Sequence, residues 1–280
     1  MAELIGVLAS AGRAPGADPP PFDTTVPHSS RMYDYLLGGK DNFAADREAA
    51  EQLVAIAPGV RRAVRANRAF HGRAVRYLAG EVGIRQFLDI GTGIPAADNT
   101  HEVAQRVAAD SRVVYVDNDP IVLAHARALL TGAHAGTVSY LDCDLRDPDT
   151  ILEAAGRLLD FGAPVAIMLV LILHLIPDSD DPWRIVRRLV DAVPPGSYLV
   201  VSHPPSDMDA DASAAVARSV NQRMQGTPMT IRGHAEVSRF FDGLEMLPPG
   251  LVSLSRWWPD RSAQDEPDVA CYGGVGRKPG

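Results

Sequence analysis

The sequence predicts an α/β fold in which a doubly wound, mostly parallel sheet of about seven strands follows an N-terminal helical cap. Three observations lead to this fold class. Short apolar segments alternate with amphipathic helical segments after Gly83, which is typical of crossover connections between parallel strands. The segment PVAIMLVLIL has the unbroken hydrophobicity of a central strand buried on both faces. The first apolar segment ends in Gly91-Thr92-Gly93, a turn that precedes a ligand-binding helix in many doubly wound folds.

Composition divides the chain into three regions. Residues 1–26 are rich in Pro, Gly, Ala and Asp, which is typical of a flexible leader. Residues 27–80 carry the cap, and residues 81–280 form the α/β core. Within the cap, helical periodicity covers 31–37, 43–56 and 60–79. The first two of these helices end at Gly38-Gly39 and at Pro58-Gly59, which are helix-terminating pairs.

The elements of the core follow in order along the chain. Strands are expected at 86–90, 112–117, 138–142, 165–171 and 197–202, with helices between them at 98–109, 120–131, 149–159 and 182–192. Helices at 207–225 and 234–241 then precede strands at 251–256 and 269–275. The connection WWPDRSAQDEPD is too short for a crossover helix. We therefore expect the last two strands to pair antiparallel, with the final strand inserted near the edge of the sheet.

Composition also excludes several classes of protein. The chain has 27 Lys and Arg against 35 Asp and Glu, a net charge of −8, which disfavours a general nucleic-acid binder. Its longest apolar run, 165–173, is about half of what a membrane span needs. Cys143 and Cys271 have no metal-ligand spacing and are too few for a disulfide framework. The cysteine spacing leads us to expect no metal site. No basic residue precedes the apolar patch 4–9, so we also expect no secretory signal and a cytoplasmic location.

The segment 61–76 contains six arginines and no acidic residue, which leaves two interpretations open. One is a groove for nucleic acid. The other is a solvated basic face paired with acidic residues of the preceding helix, namely Asp46, Glu48 and Glu51. The acidic charge of the whole chain favours the second, and we expect no nucleic-acid partner.

The segment FLDIGTG places an acidic residue, Asp89, just before the glycine turn. Three interpretations of Gly91-x-Gly93 are possible: a plain strand-to-helix turn, a dinucleotide site or an S-adenosylmethionine (SAM) site. A carboxylate at Asp89 would oppose a pyrophosphate over this turn. The same carboxylate would attract the ammonium group of SAM, which carries no phosphate. The acidic residue therefore favours SAM over NAD.

The next two strands also end in acidic residues. Asp117 follows VVYV, and a carboxylate at that strand end can accept both hydroxyls of a ribose. Asp119-Pro120 is instead typical of a helix start, with Asp as the N-cap and Pro in the first turn. Asp144 follows the third strand and is expected either to accept from an adenine amino group or to cap the turn before Pro148.

The segments FLDIGTG, VVYVDNDP and YLDCDLRDP resemble the first three cofactor motifs of the class I SAM-dependent methyltransferases, whose core is a Rossmann-like sheet. The segment PHSSRMYDYLLGGKDNFAADREAAEQL is similar to the N-terminal motif of a bacterial S-adenosyl methyltransferase family once catalogued as a domain of unknown function. The resemblance covers the chain from about Pro27 onward. One departure is that Ile94-Pro95 replaces the usual third glycine, which changes the loop geometry expected there.

The resemblance implies a role for each matching residue. Asp89, Gly91, Thr92 and Gly93 would surround the methionine end of SAM. Asp117 would hold the ribose, and Asn118, Asp144 and Leu145 would lie against the adenine. It gives no methyl acceptor and no catalytic residue.

Residues outside the cofactor motifs are candidates for contact with the acceptor. His174 follows the buried fourth strand and is expected near the ligand-binding edge of the sheet, either as a general base or as a structural histidine. Arg31, Tyr33 and Lys40 would bind or orient substrate if the cap folds over the cleft. The alternatives for these three are an exposed helix face or packing onto the core.

We therefore expect a SAM-dependent methyltransferase that acts on a small-molecule acceptor, with neither a nucleic acid nor a membrane as partner. A non-catalytic sensor or partner protein that binds SAM or its demethylated product is the alternative, because no unmistakable general base is visible. An NAD-dependent oxidoreductase is a third hypothesis, which Asp89 argues against. Loop residues around 203–235 are expected to set the choice of acceptor.

Overall fold

The computed structural model describes residues 23–130, 137–223, 228–258 and 267–280, without the side chains of 126–130. Most of the predicted leader, 1–26, lies outside these ranges, as do the ends of the predicted helices at 131 and at 224–225. Most of the predicted turn between the last two strands lies outside them too.

Within the described residues, one sheet of eight strands forms the centre of the molecule. The strands are β1 Gln86–Ile90, β2 Arg112–Asp117, β3 Val138–Asp142, β4 Ala166–Val170, β5 Tyr198–His203, β6 Glu245–Met246, β7 Val252–Ser253 and β8 Tyr272–Arg277. Their order is β3-β2-β1-β4-β5-β8-β6, and β7 also pairs with β8. Strands β1 to β5 are parallel, whereas β8 runs antiparallel to β5, β6 and β7. The strand order reverses between β1 and β4, which opens a crevice at their carboxyl ends.

Nine α-helices surround the sheet within the described ranges: α1 Ser29–Leu37, α2 Ala44–Ile56, α3 Val60–Tyr77, α4 Thr100–Val107, α5 Pro120–Leu130, α6 Pro148–Ala155, α7 Pro182–Asp191, α8 Ala210–Arg223 and α9 His234–Ser238. Helix α3 continues into a π-helical turn, Leu78–Val82. In that part of the chain, no helix is both long enough and apolar enough to cross a membrane.

The two faces of the sheet bury separate apolar cores. Successive strand residues point to opposite faces, so Phe87 packs with α3 and α4 whereas Leu88 packs with α6 and α7. Cys143 and Cys271 are both free thiols, and each is buried in one of these cores. Helices on both faces confirm the doubly wound arrangement.

A third apolar cluster holds the cap together. It joins α1, α2 and the start of α3 through Met32, Leu36, Leu53 and Val64. Helix α8, from the far end of the chain, packs against the same cluster. Because α3 also supplies Phe70 to the core, the cap and the sheet share one helix. The domain boundary at residue 80 stays a prediction.

The C-terminal strands depart from the prediction in length but not in direction. Strand β7 has only two residues, β8 begins at Tyr272 rather than at 269, and β6 is a strand that the sequence did not indicate. Glycines in β8 allow its neighbours to pack closely, because neighbouring side chains occupy the space where a Cβ would lie. At Gly273 a Cβ would come within 2.2 Å of Leu254 Cδ2. Glycine-rich sequence resembles a turn, but here it allows the close packing of an inner strand.

Candidate functional site

The glycine loop after β1 lies at the crevice where the strand order reverses. Gly91 and Gly93 have φ angles of +74° and +66°, a conformation that favours glycine. A Cβ at Gly91 would lie 2.4 Å from Ile172 Cγ1, whereas a Cβ at Gly93 would meet nothing nearer than Ser30 Oγ at 4.0 Å. The first glycine therefore allows close packing with the loop after β4, and the second faces open space.

Asp117 holds this loop from the end of β2. Its Oδ2 accepts a hydrogen bond from Gly93 N at 2.9 Å, and its Oδ1 accepts one from Asp119 N at 2.9 Å. Burial raises the pKa of Asp117 from 3.8 to about 6, although these backbone donors oppose the shift. Thr92 N also approaches Val116 O at 3.4 Å, so the loop is tied to β2 along its length.

Asn118 and Asp144 meet at the ends of β2 and β3, and their predicted contact with an adenine stays a prediction. Asn118 Nδ2 donates to Asp144 Oδ2 at 3.0 Å. Arg146 donates to the same carboxylate from its backbone at 2.8 Å and from Nη1 at 2.9 Å. Leu145 is buried in the apolar core beneath them. Asp144 thus takes part in a turn, which was the alternative to a purely ligand-binding role.

Asp119 caps α5, as predicted. Its Oδ1 accepts a hydrogen bond from Ile121 N at 2.8 Å. Its Oδ2 lies 3.2 Å from His28 Nδ1, and His28 is the N-cap residue of α1. Helix α1 begins at Ser29 rather than at the predicted residue 31. Because His28 contacts Asp119, the first turn of α1 lies against the carboxyl edge of the sheet.

Asp89 lies on the face of the sheet that packs against α3 and α4. Its Oδ2 accepts a hydrogen bond from Thr100 Oγ1 at 2.5 Å, and Thr100 Oγ1 in turn lies 2.8 Å from His71 Nε2. The sequence analysis missed both Thr100 and His71. The available signal for Thr100 was Asn99, whose capping box with Glu102 starts α4.

A further residue that the sequence analysis missed positions the segment after the glycine loop. Arg68, on α3, donates to Ala97 O at 2.8 Å and to Asn99 Oδ1 at 3.1 Å. Asn99 Oδ1 also accepts from Ala96 N at 3.1 Å. These bonds attach the start of α4 to the shared helix α3.

Arg31 is buried inside the cap, with 1% of its surface exposed. Its Nε donates to Asp46 Oδ1 at 3.0 Å and its Nη2 to Val26 O at 2.5 Å. Phe43 lies against the guanidinium, 5.3 Å from ring centroid to Cζ. This placement favours a structural role for Arg31 over the predicted contact with substrate.

Tyr33 links the cap to the ends of β4 and β5. Asn67 Nδ2 donates to Tyr33 Oη at 2.9 Å, and Asn67 Oδ1 accepts from Ser202 Oγ at 2.6 Å. Ser202 Oγ accepts from Leu171 N at 3.0 Å. Burial raises the pKa of Tyr33, so its hydroxyl stays protonated near neutral pH. Lys40, in contrast, is exposed in the loop after α1, and no contact in the described ranges brings it to the other predicted residues.

His174 lies in the turn after β4, near the expected ligand edge. Its Nδ1 is buried and has no hydrogen-bond partner among the described residues. Burial, helped by the nearby charge of Arg232, lowers the pKa of His174 to about 4. The ring centroid of His203 lies 6.2 Å away, and burial lowers the pKa of His203 to about 3. Both imidazoles are therefore uncharged at pH 7.

Arg232 holds the turn around His174 in place and was not anticipated from the sequence. Its guanidinium is fully buried and bonds with Leu173 O, Ile176 O, His203 Nε2 and Asp178 Oδ1 at 2.7–3.1 Å. These contacts use all five of its N–H donors. It is a cross-link between the turn after β4 and the segment before α9.

The arginines of α3 are dispersed rather than gathered into one groove. Arg61 pairs with Glu51 of α2, and Arg73 donates to Trp257 O at 3.0 Å. The predicted pairing with α2 is thus confirmed for Glu51 but is wrong for Asp46, whose carboxylate holds Arg31. Within the described ranges, no cluster of three His, Cys, Asp or Glu side chains is arranged to hold a metal ion.

Comparison with known proteins identifies relatives over almost the whole chain. The model of a family described as S-adenosyl methyltransferase matches residues 15–279. No curated protein matches the chain.

Two solved structures are similar in both sequence and fold. A DUF574 family protein from Streptomyces avermitilis is 46% identical, with a TM-score of 0.87, over 92% of this chain and 99% of that one. A candidate methyltransferase from Thermobifida fusca is 40% identical, with a TM-score of 0.84, over 92% of this chain and 97% of that one. The resemblance seen in the motifs thus extends through the cap and the core.

Proposed function

The chain belongs to the S-adenosyl methyltransferase family and is a SAM-dependent methyltransferase, and from this premise we propose that its acceptor is a small molecule. One observation carries the proposal: the carboxyl edge of the sheet is covered by the protein's own chain. The start of α1 lies against Asp119, with Ser30 Oγ 4.0 Å from where a Cβ on Gly93 would be. The segment before α9 bonds to the turn after β4, with Thr230 N donating to His174 O at 2.7 Å. A site bordered in this way by the protein's own chain suits a small ligand better than the surface of a polymer.

The residues at this edge fit the groups of SAM. Each oxygen of Asp117 accepts one backbone N–H and keeps a lone pair that can accept from a ribose hydroxyl. Asn118 and Asp144 offer an amide and a carboxylate for the adenine. The open space beside Gly93 leaves room for the chain of the ligand. When bound, SAM supplies an electrophilic methyl group on a sulfonium cation.

Asp89 completes the proposed contacts with the cofactor. Its Oδ2 is held by Thr100, and its Oδ1 has no partner within the described ranges. A carboxylate with one free oxygen, buried at the end of β1, suits an ammonium group. Thr92, in the adjoining loop, would line the same end of the ligand.

The protein would contribute to transfer mainly by positioning the two reactants. In-line displacement at a methyl group gains much of its rate from alignment, which the covered edge would supply. His174 is our candidate for a group that receives a proton from the acceptor, because it lies in the turn after β4 and its Nδ1 has no hydrogen-bond partner among the described residues. Tyr33 is the cap residue best placed to orient an acceptor, since its hydrogen bonds lead to the ends of β4 and β5.

Transfer of a radioactive methyl group from SAM tests the proposal. The full chain would be incubated with labelled SAM and with bacterial extract separated into small-molecule and macromolecular fractions. We expect label to appear in a small molecule, and to be lost when Asp117→Ala replaces the unmodified protein. Label confined to protein or nucleic acid would overturn the small-molecule acceptor. Absence of transfer to every fraction would instead favour a protein that binds SAM as a sensor.

A further inference from the structure

A buried chain of three side chains runs from α3 to the end of β1. His71, Thr100 and Asp89 are 4%, 1% and 7% exposed, respectively. We propose that Thr100 and His71 are positioning residues that orient Asp89 toward the ammonium group of the cofactor, so that the site discriminates in favour of ligands that keep the amino-acid end. This inference rests on the proposed function, because it assumes that Asp89 meets that group.

The direction of the hydrogen bonds follows from the chemistry of the three groups. An ionised carboxylate only accepts, so the single hydroxyl proton of Thr100 points to Asp89 Oδ2, at 2.5 Å. Thr100 Oγ1 can then only accept from His71, whose Nε2 must carry a proton, at 2.8 Å. Both donors thus point toward Asp89, and hydrogen bonds aligned in this way polarise one another.

This arrangement fixes one oxygen of Asp89 and leaves the other available. Rotation of the carboxylate would break the bond with Thr100, so Oδ1 is held in one direction. His71 Nε2 lies 3.8 Å from Asp89 Oδ2, too far for a direct hydrogen bond but close enough to add to the electrostatic field. Oδ1 keeps its capacity to accept hydrogen bonds, and a ligand cation would supply a charged donor for it.

The backbone segments that carry Thr100 and His71 are held in place by further hydrogen bonds. Thr100 is the first residue of α4, and the capping box of Asn99 and Glu102 fixes that helix start. Arg68 attaches the same turn to α3, the helix that carries His71. His71 Nδ1 is buried without a hydrogen-bond partner among the described residues, which is a cost with no evident structural benefit.

The test compares two ligands that differ only in the amino-acid end. S-adenosylhomocysteine keeps that end, whereas 5′-methylthioadenosine lacks it and retains the adenosine thioether. Calorimetry would give the dissociation constant of each ligand for the full chain and for Thr100→Val, His71→Leu and Asp89→Asn. We expect Thr100→Val and His71→Leu to weaken the binding of S-adenosylhomocysteine by about 10-fold and that of 5′-methylthioadenosine by less than about 2-fold. Substitution of a residue that only supported the fold would weaken the binding of both ligands alike.

Two further variants serve as controls. Thr100→Ser keeps the hydroxyl and is expected to restore the selectivity between the two ligands. Thr150→Val removes a hydroxyl that also donates to a carboxylate at a helix start, that of Asp147, but away from Asp89. It should leave both dissociation constants unchanged.

The outcomes separate the inference from the proposed function. If Asp89→Asn lowers selectivity while Thr100→Val and His71→Leu do not, the positioning role is wrong and the cofactor contact stands. If Asp89→Asn itself affects both ligands equally, the proposed contact with the ammonium group is wrong. If Thr100→Val is unfolded at the temperature of the measurement, His71→Leu decides the question. Selectivity in His71→Leu equal to that of the unmodified protein would then overturn the inference.

Discussion

His28 Nδ1 lies 3.2 Å from Asp119 Oδ2, and this contact joins the residue that begins α1 to the residue that caps α5. Asp119 is two residues from Asp117, whose carboxylate holds the glycine loop. The cap and the proposed cofactor site are therefore connected through side chains at one edge of the sheet.

Replacing His28 should loosen that connection without unfolding the cap. The backbone N–H of His28 bonds to Asp46 Oδ1 at 2.9 Å and is retained in His28→Ala. Because a single partly exposed polar contact contributes little, we expect SAM to dissociate about 2–5-fold faster from this variant. Stopped-flow measurement of the dissociation rate checks this, with His125→Ala on α5 as the control. An unchanged dissociation rate would show that this contact between the cap and the sheet does not help to retain the cofactor.

Alanine should have different effects at three glycines. At Gly91 it adds a clash with Ile172 to an unfavourable positive φ, and we expect a large loss of melting temperature. At Gly93 only the positive φ opposes it, at about 1–2 kcal/mol. Gly72 lies inside α3 with no neighbour within 4 Å of a Cβ, so Gly72→Ala should raise stability by about 0.5–1 kcal/mol. The reverse order in thermal melts would contradict the packing described for the loop.

Asp117→Ala should weaken SAM binding by about 10–100-fold, because two hydrogen bonds to the ribose would be lost. Asp117 also holds Gly93 N, so part of this loss would come from a looser glycine loop. Asp117→Asn is the matched variant, since its amide keeps one acceptor and the size of the side chain. Calorimetry on both variants, with melting curves to establish folding, checks this. Unchanged affinity in a folded Asp117→Ala protein would show that the cofactor lies elsewhere.

The raised pKa of Asp117 predicts two opposite dependences on pH. Folding raises this pKa from 3.8 to about 6, so the folded state binds the proton more tightly. The contribution of this group to the free energy of unfolding is therefore full below about pH 4 and is lost as pH rises through 6. Acceptance of two hydroxyls needs the carboxylate, so affinity for S-adenosylhomocysteine should fall about 10-fold between pH 7 and pH 5. Titration calorimetry should give this dependence in the unmodified protein but not in Asp117→Asn.

Arg232→Met should destabilise the protein by about 3–5 kcal/mol, because the buried His203 nitrogen and two backbone carbonyls would lose their donors. Arg232→Lys should recover little, since an ammonium group cannot reproduce five N–H donors in one plane. Chemical denaturation gives the free energy of unfolding, with the exposed Arg187→Met on α7 as the control. A loss below about 1 kcal/mol would show that the turn around His174 is held by other contacts.

The sequence was sufficient to predict those features that depend on a local pattern of residues. The first five strands, the glycine loop and the acidic residues at three strand ends all lie within short segments, and each was predicted from its neighbours in the chain. Asp119 was also assigned correctly as a helix cap, because the cap and Pro120 are adjacent. Direction and pairing of the last two strands followed from the length of their connection.

The residues that sequence reasoning missed depend on contacts between distant segments. Arg232 bonds to Asp178, which is 54 positions away, and Thr100 meets His71 across 29 positions. No local pattern distinguishes Arg232 or His71 from an exposed polar residue, and the capping box beside Thr100 indicates a helix start rather than a contact with Asp89. Arg31 shows the converse, since its charge indicated a ligand contact, whereas the three-dimensional structure pairs it with Asp46 inside the cap.

The position of β8 in the sheet affects how the chain reaches its final form during synthesis. Strand β5 is complete at residue 203, but its second neighbour, β8, ends at residue 277. The ribosome therefore exposes an unpaired strand edge for the time it takes to add more than seventy residues, about 4–15 s at ordinary elongation rates. A chain that stops within this interval keeps that edge open to pairing with other chains. Truncated products should consequently aggregate or be removed by proteases, even though all five parallel strands are present.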